Sequence, residues 1–177
     1  MTHVHEPRSS RLPDVVRHYL GDLVFGANDG LITTFAVVSG VSGADLGPSV
    51  ILILGVANLL ADGFSMGASS FLAIRSDSKA HGMDRGLREP MVHGLATFAA
   101  FVVAGSVPLI AYVVPGLGDA ALWASSISAT VVLFAVGAMR SLLGGGAWFR
   151  CGGEMLLVGA AAGVAAYSAG ALIRGVV

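Results

Sequence analysis

The sequence predicts an all-α membrane protein of five transmembrane helices, with the N-terminus cytoplasmic and the C-terminus outside. Three observations predict it. The 177 residues are 55% hydrophobic and only 12% charged, with a mean hydropathy of +0.80, where soluble domains carry about 25% charged residues. Five apolar stretches each reach the roughly 20 residues that a hydrocarbon core requires. Basic residues fall in alternate connections, as a chain crossing back and forth demands.

The elements follow in order. Residues 1–19 read as a polar cytoplasmic tail, with Pro7 and Pro13 interrupting it and a His3-x-His5 pair of weak metal-binding character. So polar a start is not a cleaved signal peptide. The rest, 20–177, reads as one membrane domain. Its first span covers 20–43, and Asp45 with Gly47-Pro48 makes a tight turn. The second covers 49–74 and ends at Arg75. Residues 76–89 are polar and read as a loop or a helical extension. The third span covers 90–114, with a kink expected at Pro108. Pro115 to Asp119 is a short turn, and the fourth span covers 120–139. Arg140 to Arg150, with Gly144-Gly-Gly146, is another turn. The fifth span covers 153–173, before Arg174.

Charge sets the expected orientation. Arg8, Arg11, Arg17, Arg75, Lys79, Arg85, Arg88, Arg140 and Arg150 all fall on one side of a five-span chain, and only Arg174 on the other. The positive-inside rule makes the first side cytoplasmic. The net charge of −1 and the lack of a basic, aromatic-interleaved patch give no indication of nucleic-acid binding. A single Cys151 excludes an internal disulfide framework and a cysteine metal cluster. The 25 glycines suit closely packed membrane helices.

Chemistry concentrates on the first two spans. Asp29 lies well inside the first, where a carboxylate costs roughly 2.5–3.5 kcal/mol on insertion scales. A membrane helix that keeps such a residue points to a cation or a proton. Asp22 lies seven residues earlier, on the same face and about 10 Å away, with Thr33 one turn beyond Asp29. This pattern suggests an acidic entrance and an inner site. On the second span Asn58, Asp62 and Met66 form a stripe at i, i+4 and i+8, with Ser65 and Ser69 on its shoulder. Such a set suits the wall of an ion path, and the thioether favours transition metals over Mg²⁺ and Ca²⁺. Gly26 and Gly30, and Gly63 and Gly67, have the small-xxx-small spacing that would let the two helices approach around a site.

Blander readings accompany these. Met66 can be packing. Asp22 can pair with Arg17 or Arg75, and Asp62 can be an interhelical hydrogen-bonding group. Glu154 reads as solvated or paired with Arg150. His18, His81 and His93 read as ordinary residues near the cytoplasmic face, although His18 shares the side of Asp22.

Asp22-Leu-Val-Phe-Gly-Ala-Asn-Asp-Gly-Leu-Ile-Thr-Thr-Phe-Ala-Val-Val-Ser-Gly40, continuing to Gly43, resembles the first helix of the vacuolar iron transporter family. Leu54-Gly-Val-Ala-Asn-Leu-Leu-Ala-Asp-Gly-Phe-Ser-Met-Gly-Ala-Ser-Ser-Phe-Leu72 resembles its second, and Gly94-Leu-Ala-Thr-Phe98 also fits. The resemblance implies a five-helix homodimer that exports Fe²⁺ or Mn²⁺ from the cytoplasm by proton antiport, through a path at the dimer interface. These ions are cargo, and no cofactor is implied. The family's metal-facing Asp and Met fall on Asp29 and Met66, with Asp29 also coupling protons, and its cytoplasmic acid falls on Asp22. Larger members insert a Glu- and Met-rich metal-binding domain where only 76–89 stands here, so this chain resembles a minimal form. Those members have Glu where His18 and Asn58 stand. The absence of organellar features leads to the expectation of a prokaryotic plasma membrane. The alternatives are a non-transporting membrane subunit, or an intramembrane metal-dependent lipid enzyme. The latter lacks the additional acids and the Ala-Arg pair that such transferases carry, and the expected class is not an enzyme.

Overall fold

The computed structural model describes residues 14–82 and 86–176. The His3–His5 pair and most of the expected tail lie outside these residues. Six α-helices follow in order: α1 (Asp14–Gly43), α2 (Pro48–Ala80), α3 (Arg88–Val113), α4 (Ala121–Met139), the single-turn α5 (Ser141–Gly144) and α6 (Trp148–Arg174). A 3₁₀ turn, Gly118–Ala120, precedes α4. Five spans are long and apolar enough to cross a membrane, and no strand occurs among the described residues. In hydrocarbon every backbone N–H and C=O must be satisfied within the segment, which an unbroken helix does.

The helices outrun the apolar windows at their polar ends. α1 starts at Asp14, within the expected tail. α2 continues through Arg75 to Ala80, so residues 76–80 extend the helix and are not loop. α6 starts at Trp148 rather than 153. Hydropathy locates lipid, whereas helix ends are set by caps and breakers. Pro48 opens α2 at its first turn, where the missing N–H has no partner to lose. Asp45, at φ 59°, reverses the chain just before it. α3 runs unbroken through the buried Pro108.

α1 packs on all four other long helices, most extensively on α3; α3 also packs on α2 and α4, and α6 closes the other side against α1 and α4. Lipid tails are as apolar as leucine, so helices associate in the membrane through close packing rather than water exclusion. Glycine permits this at two seams. A Cβ on Gly105 of α3 would lie 2.6 Å from the Gly30 carbonyl oxygen of α1. A Cβ on Gly94 of α3 would lie 2.6 Å from that of Gly67 on α2. The small-xxx-small pairs of α1 and α2 therefore both face α3. They do not bring α1 and α2 onto each other, which corrects the sequence expectation. Two apolar clusters fill the bundle. One joins Leu20, Val24 and Leu31 to Leu133 and Val136. The other joins Val38 and Val41 to Ile51, Leu59, Phe101 and Leu109. The outer faces keep large apolar side chains exposed, such as Phe64, Trp123 and Leu157, as a lipid-facing surface requires.

Candidate metal path and the cluster at its mouth

On α1, positions seven and eleven residues apart share a face, which places Asp29, Ala36 and Gly40 in one line. Ala36 and Gly40 line an open groove of about 780 Å³ together with Ala57, Asn58 and Ala61 of α2 and with Ala166, Ala169 and Gly170 of α6. Asp62 and Ser65 continue that face of α2, one turn beyond Asn58 and Ala61.

Asp29 is half-buried, and among the described residues no Lys, Arg or His forms an ion pair with it. It lies within reach of the charge of Asp62 on α2, so two carboxylates from two helices share one electrostatic neighbourhood. Thr33 is half-buried, and its hydroxyl donates to the Asp29 carbonyl oxygen at 2.8 Å. Only its oxygen lone pairs remain to face a cation. Asp62, Ser65 and Ser69 are exposed on the protein surface, and Asn58 is half-buried.

Met66 is half-buried and packs against the cluster around Leu59 and Phe101. Helical geometry explains why. Each step of four residues advances about 40° around the axis, so the Asn58–Asp62–Met66 line drifts by about 80° and ends turned toward α3. The expected single stripe is thus a spiral, with its sulfur end in the packed interior.

Two amides stand out. Asn28 Oδ1 and Asn58 Nδ2 are buried without a hydrogen-bond partner, and a polar atom so placed costs about 1–3 kcal/mol. Sequence reading passes over Asn28, although a polar residue beside a mid-span acid is the available signal.

At the other end of α1 the structure joins residues that the sequence separates. The Asp22 carboxylate accepts a hydrogen bond from His93 Nδ1 of α3. Asp22 therefore pairs with an imidazole, not with the expected Arg75, and the Arg17 side chain lies outside the described set. His93 Nε2 lies 3.1 Å from His18 Nε2, and Tyr19 packs on the His93 ring with centroids 4.7 Å apart. Glu89 completes the group: ligand atoms of His18, Glu89 and His93 all lie within 4.8 Å of one another. His18 and His93 are therefore not ordinary surface residues. The overlooked signal is a matched pair of i, i+4 spacings, His18-x₃-Asp22 and Glu89-x₃-His93, at the same end of the first and third spans. His81 is ordinary, as expected; its ring is exposed and bonds Asp77 one turn back on α2. Glu154 pairs with Arg140 at 3.7 Å, not with Arg150.

Comparison with known proteins adds an independent line. The model of the VIT family matches residues 20–84 and 78–171. A Plasmodium berghei protein named vacuolar iron transporter is 46% identical over 55 residues, covering 31% of this chain and 20% of that protein. Vacuolar iron transporter 1 of Tulipa gesneriana is 40% identical over 73 residues, 41% of this chain and 28% of its own length. That of Arabidopsis thaliana is 39% identical over 56 residues, 32% and 22% respectively. The matched part of the chain thus spans between a fifth and three-tenths of these relatives.

Proposed function

The chain belongs to the VIT family, and on that premise we propose that it is a divalent transition-metal transporter that exports Fe²⁺ or Mn²⁺ from the cytoplasm in exchange for protons. The observation that carries this reading is Asp29, a mid-membrane carboxylate without a cationic partner among the described residues, within electrostatic reach of Asp62 and about two turns along α1 from the groove residue Ala36. A divalent ion there would offset both charges. The names of the relatives support iron as cargo; manganese rests on the chemistry of the donor set alone.

In this reading two copies meet across a two-fold axis, with the grooves between α1 and α2 facing each other to enclose a path. Asp29, Asp62 and Asn58 supply oxygen, Thr33, Ser65 and Ser69 line the wall, and Met66 offers sulfur after a rotation out of its packing. Asp22 draws cations to the cytoplasmic mouth. Metal ligands must be deprotonated to bind, so protonation of Asp29 from the outer side releases the ion and couples the two flows. In this reading the Asp22 end, beside most of the basic residues, faces the cytoplasm, as the positive-inside rule supports, and the membrane is a prokaryotic plasma membrane. Enzymatic chemistry has no support from the family.

Proteoliposome uptake tests the reading. Wild-type protein should move Fe²⁺ or Mn²⁺ and shift the lumenal pH in step, and Asp29→Ala should lower flux at least tenfold. Wild-type flux in Asp29→Ala would remove Asp29 from the path. No flux in wild type, with no metal-dependent rise in thermal stability, would favour a non-transporting subunit.

A further inference from the structure

We infer that His18, Glu89 and His93 form a transition-metal site at the shared end of α1 and α3, with Asp22 as the group that orients His93 rather than as a ligand. The site deepens the transport reading, on which only its purpose as a loading station rests.

The argument starts from the tautomer. The Asp22 carboxylate accepts the Nδ1 proton of His93, which leaves the Nε2 lone pair free. That lone pair faces His18 Nε2 at 3.1 Å. In the metal-free protein one of the two nitrogens donates an N–H to the other, and a divalent cation can replace that proton. With metal–nitrogen distances of 2.0–2.1 Å, adjacent ligand nitrogens stand about 2.9–3.4 Å apart. The observed spacing falls within that range before any ion arrives.

The third ligand and the support agree. All three ligand atoms lie within 4.8 Å of one another, so a shift of about half an ångström brings them inside the ~4.2 Å that ligands opposite each other on one ion would span. An imidazole that donates its other ring N–H to a carboxylate is the usual outer arrangement of a metal-binding histidine. His93 is held further by burial, at 8% exposure, and by Tyr19 against its ring. His18 is exposed, so the site opens to the solvent on one side. Two imidazoles and a carboxylate select transition metals over Mg²⁺ and Ca²⁺. A site of this composition at the Asp22 end would collect and sort metal before it reaches Asp29.

Binding of Co²⁺ to the purified full-length chain tests this without flux. Dialysis equilibrium counts the metal and visible absorption reports nitrogen ligation. Wild type should bind with an absorption band that Mg²⁺ does not displace. The double variant Asp29→Ala, Met66→Leu should keep that band. His18→Ala, an exposed change that leaves packing intact, should lose affinity at least tenfold together with the band. Glu89→Gln should also weaken binding. Asp22→Asn should weaken binding 10- to 100-fold, the usual cost of losing an outer partner, while the band keeps its position. An unchanged affinity and band in His18→Ala would overturn the site, as would a band lost in the Asp29→Ala, Met66→Leu variant and kept in His18→Ala. Co²⁺ bound here by a protein that transports nothing would retain this site and overturn the transport reading.

Discussion

Asp29 imposes a cost on the fold that the proposed role would explain. A half-buried carboxylate in hydrocarbon, repelled by Asp62, weakens the metal-free protein. Asp29→Asn removes the charge and keeps the shape. It should therefore raise the stability of the metal-free protein by about 1–3 kcal/mol, read from unfolding in detergent, while stabilisation by metal falls to what the His18–Glu89–His93 cluster supplies. That pairing of outcomes is the one expected of a residue held for function. Asp29 was legible in the sequence because a charge inside an apolar run stands out in one dimension. His93 was not. Its meaning depends on Asp22, 71 residues away, and on His18, and no local pattern joins α1 to α3. Met66 falls between these cases, since its identity was legible but its drift toward α3 needed the helix in three dimensions.

Among the elements, the seams around α3 decide how much change the bundle accepts. At Gly105 an added methyl meets the Gly30 backbone oxygen at 2.6 Å, and backbone cannot swing aside as a side chain can. Gly105→Ala should cost about 1–3 kcal/mol, the range for overpacking. At Gly153 in α6 an added methyl would meet nothing within 4 Å, and Gly153→Ala should be neutral or stabilise by up to ~1 kcal/mol through helix propensity. Thermal unfolding of the two variants checks the contrast. The five spans were readable because each is a long apolar run. Their partners were not. Glycine spacing shows that a helix will be approached closely but does not name the approaching helix, and here both stripes chose α3.

For the whole molecule, the groove between α1 and α2 leaves Asp62, Ser65 and Ser69 exposed on the surface of a single copy. Polar groups facing lipid are unfavourable, and in the proposed dimer a second copy would cover them. With Cys151 replaced by Ala, Ala61→Cys on the groove wall should form a cross-linked dimer in membranes under mild oxidation, whereas Trp123→Cys on the exposed face of α4 should not. Gel mobility with and without reductant reads the result. In the proposed topology five crossings put the start of α1 and the end of α6 on opposite sides. Arg174 on α6 meets Asp45 at 2.7 Å, far from the end where His18 meets His93, so the charges at the two rims never share a surface.

The length of α2 has its own consequence. Its 33 residues measure about 50 Å at 1.5 Å per residue, against a hydrocarbon slab of about 30 Å. The surplus lies at the polar end, where the six residues from Arg75 to Ala80, about 9 Å of helix, carry Arg75, Asp77 and Lys79 to the depth of the headgroups. The return from α2 to the start of α3 at Arg88 is thereby made at the level of the lipid charges rather than within the hydrocarbon.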